Sequence, residues 1–231
     1  MCFSPAASFG SGVILSGIGV ACMKKVRTRN RLLFAAIPFL FGIQQFSEGC
    51  VWIGLQDPSL GYLVTPAAAI FTFFAHSLWP LMVPLSILLM EPQHERRRVL
   101  RWTLAVGILT SIYFLICQIT FDNTAMIDGR HIRYVHGYPM EFATTVGIFY
   151  MIATIIPHFI SSFRRASLFG ISTAIAYGIT YVLYNDYIVS VWCFFSALLS
   201  AIVCYILYPA PTNVLHGDIL HGEQGARHHH A

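Results

Sequence analysis

Charge is what this sequence has least of. Of its 231 residues only 10% are Asp, Glu, Lys or Arg, while 56% are hydrophobic and mean hydropathy is +0.66. A soluble domain carries about 25% charged residues, so this chain lacks the polar surface to face water on all sides. Lysine is scarcer still. Lys24 and Lys25 are the only two, and both follow the first apolar run, so no apolar run holds a lysine for a retinal Schiff base. No HExxH, G-x-S-x-G or P-loop pattern occurs, which removes the usual zinc-protease, serine-hydrolase and nucleotide-binding readings. The six cysteines (Cys2, Cys22, Cys50, Cys117, Cys193 and Cys204) form no C-x-x-C pair and no zinc-finger spacing. Most lie in apolar runs, where cysteine acts as a small hydrophobe.

Long apolar runs are what the sequence has in quantity. They fall at about 6–23, 32–55, 65–90, 99–121, 142–162, 166–184 and 188–208, each near the ~20 residues that cross a bilayer as a helix. The expected fold is an all-α membrane protein, a seven-transmembrane-helix bundle forming one domain over 1–208. A polar, flexible, cytoplasmic tail is expected over 209–231. Ser8, Gly12 and Ser16 recur every four residues and give the first run a small-residue face for close packing inside the bundle.

The position of the charges sets an orientation and argues against a nucleic-acid footprint. Lys24, Lys25, Arg27, Arg29, Arg31, Arg96, Arg97, Arg98, Arg101, Arg164, Arg165 and Arg227 fall on one side, and Arg130 and Arg133 on the other. The positive-inside rule puts the larger set in the cytoplasm. The N-terminus is then outside and the C-terminus inside. No positive residue precedes the first run, which is unlike a cleaved signal peptide. Between the fourth and fifth runs, Asp128-Gly129 separates two β-prone segments. That is a type I′ signal and predicts a small extracellular β-hairpin, an ordinary outer loop or a lid.

The segment QQFSEGCVW, residues 44–52, places an acid in an apolar run. Gln44, Glu48 and Trp52 share a helix face, with Gln45 nearby. A charge at the bilayer centre costs about 2.5–3.5 kcal/mol on insertion scales, so Glu48 is expected to face the bundle interior, about 10 Å below the outer surface at 1.5 Å per residue. His76 is the only ionisable residue in the middle of the third run. If that helix starts at Thr65-Pro66, a good N-terminal signal, His76 comes within about one turn of Glu48 in depth. A start near Leu60 doubles the gap. Pro80 leaves the carbonyl of His76 without its donor and predicts a kink there.

Cys2, exposed by removal of Met1, would carry a free α-amine. It could be a nucleophile or a metal ligand, a thiol of no consequence, or a disulfide partner of Cys50 or Cys117. The candidate site is therefore Glu48 and His76 as catalytic residues and Cys2, Glu48 and His76 as metal ligands. Gln44, Gln45, Trp52, Trp79, His131 and Tyr181 are its candidate lining. His136 could also close over the site. Tyr177, Tyr181 and Tyr184 otherwise read as an interfacial aromatic belt.

The opening MCFS, Met1 to Ser4, together with Gln44, Gln45, Glu48, Gly49 and Trp52, resembles an uncharacterised bacterial multi-pass membrane family. Its chains begin MCFS and carry a QQ-x-x-EG-x-x-W segment. The resemblance extends to His76, Trp79, Pro80 and the GRHIRY hairpin, and implies membership and a place in a bacterial cytoplasmic (inner) membrane, without an activity. A comparison with seven-span hydrolases of the alkaline ceramidase type fails at the last run, which has no histidine.

The functional expectation is a polar ligand- or metal-binding pocket in the outer half of the bundle, used for binding or sensing. A metal-dependent membrane enzyme acting on a lipid, ester or amide, or doing redox work, is the alternative. A transporter or structural membrane partner is the second alternative. Zinc or another transition metal is the expected cofactor, with no retinal and no nucleotide. Membrane lipids and a small-molecule or metal ligand from the outer side are the expected partners, with no nucleic acid.

Overall fold

The structure is a computed structural model that describes residues 4–138, 142–183 and 187–207. Cys2, Tyr184 and the polar tail lie outside the described residues. The described residues are mostly helical, 83%, with one small two-stranded sheet among them. Helix α1 (Pro5–Lys25) is started by Ser4, whose hydroxyl accepts from the Ala7 amide at 3.3 Å, with proline at the first helical position. The second apolar run is two helices, α2 (Arg29–Ala35) and α3 (Ile37–Gln56), which meet at Ala36. Pro38 sits in the first turn of α3, where its missing N–H costs nothing.

The third run starts earlier than Thr65-Pro66 predicts. Asp57 accepts from the Ser59 amide at 2.9 Å and its hydroxyl at 2.7 Å, an Asx-type start for a 3₁₀ segment, Pro58–Leu63. That segment runs directly into α4 (Val64–Thr72), a π-helical segment (Phe73–Leu78) and α5 (Trp79–Met90). The chain continues through α6 (His94–Thr120), strands β1 (Asn123–Asp128) and β2 (His131–His136), α7 (Ala143–Ile160), α8 (Ala166–Leu183) and α9 (Ile188–Leu207). Among the described residues four helical units are long and apolar enough to cross a membrane: Pro5–Lys25, Pro58–Met90, His94–Thr120 and Ala166–Leu183. This is the build of a membrane protein. Leu109, Ile112, Ile116 and Ile119 of α6 are exposed, a face that suits hydrocarbon.

Packing follows the small residues. Gly42 of α3 lies directly against Gly12 and Ser16 of α1, and Gly19 against Phe39, so the expected small-residue face of α1 is where α3 approaches. Helix α9 returns beside α1 and α3. There a disulfide joins Cys22 to Cys204, 182 residues apart, with Cα atoms 6.2 Å apart. Cys22 is therefore more than the small hydrophobe its apolar setting implies.

The β-hairpin forms as expected, but with a different turn. Asp128 pairs with His131, so the two central residues are Gly129 and Arg130. Gly129 has φ 60°, and no non-glycine residue among those described has positive φ. One left-handed central residue in the first position is the type II′ pattern, where type I′ needs two. The hairpin lies on α3 and α4. Ile132 is fully buried with Trp52, Ala67 and Ala68, and Tyr134 stacks on Phe71 with ring centroids 4.8 Å apart.

Candidate functional site

Gln44, Gln45, Glu48 and Trp52 form one buried stripe on α3, each 2% exposed or less. Three helices close over it. From α1, Ser11 places its hydroxyl 2.9 Å from Gln45 Oε1. At the start of α5, Trp79 Nε1 donates to Gln44 Oε1 at 3.0 Å, and the Trp79 ring stacks on Phe41 at 4.0 Å. From the first turn of α9, Ser190 donates to Glu48 Oε1 at 3.0 Å. Ser190 follows Tyr187 by three residues, and the Tyr187 ring stacks on His131 of β2 at 4.7 Å. The stripe thus lies toward the hairpin end of the bundle. Burial pulls the His131 pKa below its usual value.

The stripe is rich in donors. Trp79 Nε1 can only donate, so the Gln44 oxygen must face it and the Gln44 amide nitrogen points elsewhere. Gln44 Nε2, Gln45 Nε2 and Trp52 Nε1 are buried without a hydrogen-bond acceptor among the described residues. A buried polar group left unsatisfied costs about 1–3 kcal/mol. Three on one helix face require an explanation.

His76 stands on the other side of the third run. It belongs to the π-helical segment, and its ring stacks on Phe114 of α6 at 4.9 Å and meets His136 of β2 at 4.9 Å. Among the described residues no hydrogen bond or ion pair joins His76 to Glu48. Trp79 turns toward α3, whereas His76 turns toward α6 and the hairpin. His136 Nδ1 bonds Asn123 Oδ1 at 2.8 Å, and the ring stacks on Tyr138 at 4.8 Å. Burial holds the His136 pKa down to about 4 and pushes the Tyr138 hydroxyl up to about 12. Both are neutral at pH 7.

Tyr181 is 58% exposed on α8 and stacks on Tyr177, a lipid-side or interfacial position away from the stripe. Among the described residues no group of three or more His, Cys, Asp or Glu side chains is placed to hold a metal ion, and Cys2 lies outside them. Between α3, α5, α7, α8 and α9 there is a cavity of about 20 Å³ bordered by Phe41, Trp79, Thr154 and Thr173, room for about one water. Ser11 and Ser190 could not be singled out in the sequence. Both are ordinary small residues in apolar helices, and only the packing of α1 and α9 on α3 gives them partners.

A family model, "Family of unknown function (DUF6629)", matches residues 1–213. The chain belongs to that family. The DUF6629 match covers every described helix, the hairpin and all the residues of the α3 stripe. No curated protein and no solved structure matches the chain.

Proposed function

We propose that this DUF6629 chain is a binding or sensing protein of a bacterial cytoplasmic membrane, and that the α3 stripe takes a small polar ligand from the outer side. The proposed topology is seven spans: α1, α2–α3, Pro58–Met90, α6, α7, α8 and α9, with the N-terminus outside. The placement of twelve Lys and Arg residues toward one side supports that orientation. Maleimide labelling of single cysteines in intact cells checks it. A cysteine at Arg130 should label from outside, and one at Arg97 should not.

The observation that carries the reading is the three buried donors, Gln44 Nε2, Gln45 Nε2 and Trp52 Nε1, on the face that also holds Glu48. A ligand with acceptor oxygens would satisfy them and remove their desolvation cost. The hairpin and the start of α9 stand over this end. Native mass spectrometry of the protein released from its own membrane tests the reading. Wild type should carry a small molecule above the bare chain mass, and Gln45→Leu should lose it while keeping its helical spectrum. A bare wild-type chain, or equal occupancy in Gln45→Leu, contradicts it.

A further inference from the structure

We propose that His76, His136 and the Tyr138 hydroxyl form a second site, distinct from the α3 stripe, that binds one divalent cation of the zinc–copper class. The first observation is the spacing of the rings. The two imidazoles lie 4.9 Å apart, centroid to centroid, at 72°. A metal about 2 Å from each ligating nitrogen lies about 3 Å from each ring centre, and a tetrahedral angle at the metal then sets the centres about 5 Å apart. The observed spacing of 4.9 Å matches that separation.

The second observation fixes a lone pair. Asn123 Nδ2 faces the carbonyls of Phe121 at 3.2 Å and Gln118 at 3.4 Å. Its oxygen is therefore the end that faces His136 Nδ1, so Nδ1 carries the proton. In a neutral imidazole the other nitrogen, Nε2, is then the acceptor. An amide or carboxylate oxygen behind a histidine, fixing its tautomer, is the usual outer partner of a metal-ligating imidazole.

The third observation is that these atoms have nothing to bind. His136 Nε2, His76 Nδ1 and Tyr138 Oη are all buried without a hydrogen-bond partner among the described residues. The two rings touch with no hydrogen bond between them among the described residues, so the His136 Nε2 lone pair is left without a donor, and a cation would take it together with a nitrogen of His76. Imidazole nitrogen with a phenol oxygen suits zinc and copper. His76 is offered to this site by a π-helical segment, an element found often at functional positions. Asn123, His136 and Tyr138 come from β1, β2 and the residues after it. Binding would therefore tie the hairpin to the third run.

Metal titration of the purified full chain tests this. The five tail histidines, His216, His221, His228, His229 and His230, are themselves of a metal-ligating type and are first replaced by alanine. After chelator treatment, Zn²⁺ and Cu²⁺ are titrated separately by calorimetry, and the Cu²⁺ form is examined by electron paramagnetic resonance. One equivalent of either metal should bind, with nitrogen couplings from two imidazoles in the copper spectrum. His76→Gln and His136→Gln should each weaken binding by at least about 100-fold, and Asn123→Ala by about 10–100-fold through loss of the fixed tautomer. Glu48→Gln should leave the affinity unchanged, which separates this site from the ligand proposed for the stripe. No stoichiometric binding in the tail-substituted protein overturns the proposal. So does binding that survives His136→Gln, or a copper spectrum without two imidazoles. If either glutamine variant loses its helical spectrum, Asn123→Ala decides, and an affinity within twofold of wild type overturns the site.

Discussion

Gln45 shows how a single residue separates a structural role from a functional one. Its oxygen lies 2.9 Å from the Ser11 hydroxyl, but that hydroxyl also reaches the Ser8 carbonyl at 2.9 Å. Leucine at position 45 would therefore strand no partner, and it would remove an amide nitrogen that has no acceptor among the described residues. Replacing a desolvated polar group with an apolar one of similar shape is neutral or stabilising. Ligand-free Gln45→Leu should thus melt about 2–6 °C above ligand-free wild type, at roughly 2–4 °C per kcal/mol for a chain of this size. A fall of several degrees would mean that the amide is a structural requirement. Glu91 gives the opposite case. It is 1% exposed and accepts from the Ser162 amide at 2.7 Å and the Gln93 amide at 3.1 Å, tying the α5–α6 turn to the α7–α8 turn. Burial pushes its carboxyl up, but these N–H groups outweigh burial and hold it below 4.5. A depressed carboxylate contributes stability that is full above its unfolded pKa and lost as pH falls through the folded value. The melting temperature should fall on acidification below about pH 4.5, in part through Glu91. Glu91→Gln should melt lower at pH 7 and show a shallower loss below that point.

The π-helical segment is the element where local sequence and tertiary packing meet. In an i→i+5 pattern the residue serving the Ala75 carbonyl is Pro80, which has no N–H. Tyr150 of α7 supplies the missing donor at 2.9 Å, and Ser111 of α6 donates to the Ser77 carbonyl at 2.6 Å. The Pro80 carbonyl lies directly against Gly107, so α6 can approach only because that residue has no side chain. The proline signalled a break near His76, but not that it would be a π segment whose carbonyls are capped from neighbouring helices. Tyr150→Phe should cost about 1–2 kcal/mol by leaving a buried carbonyl unpaired. In a Pro80→Ala background the restored N–H can take over, so the cost should shrink by about 1 kcal/mol. Costs that add within about 0.5 kcal/mol would contradict this coupling.

At the scale of the whole molecule, the helical content was legible because each apolar run is long enough to be helical, but the sequence did not show that the second run divides at Ala36 or that the third changes helix type along its length. The hairpin was legible because Asp128-Gly129 interrupts two β-prone segments. The turn type was not, since either neighbour of Gly129 could complete the loop. The start of the third run was misplaced because Asp57-Pro58 and Thr65-Pro66 are both good initiators, and only the 3₁₀ continuation decides between them. The α3 stripe was visible as polar residues at helical spacing in an apolar run. Its partners Ser11 and Ser190 lie 34 and 142 residues from the groups they bond, and no local pattern brings such pairs together. Cys22 and Cys204 illustrate the same limit at a separation of 182 residues. The most direct test of the account is a high-resolution density map of the protein extracted from its native membrane, inspected around Gln44 Nε2, Gln45 Nε2 and Trp52 Nε1. Non-protein density within hydrogen-bond distance of at least two of these nitrogens, beside Glu48, is the predicted result. A map in which all three donate to protein groups, with side chains filling the space between, would contradict the claim that α3 presents a ligand site.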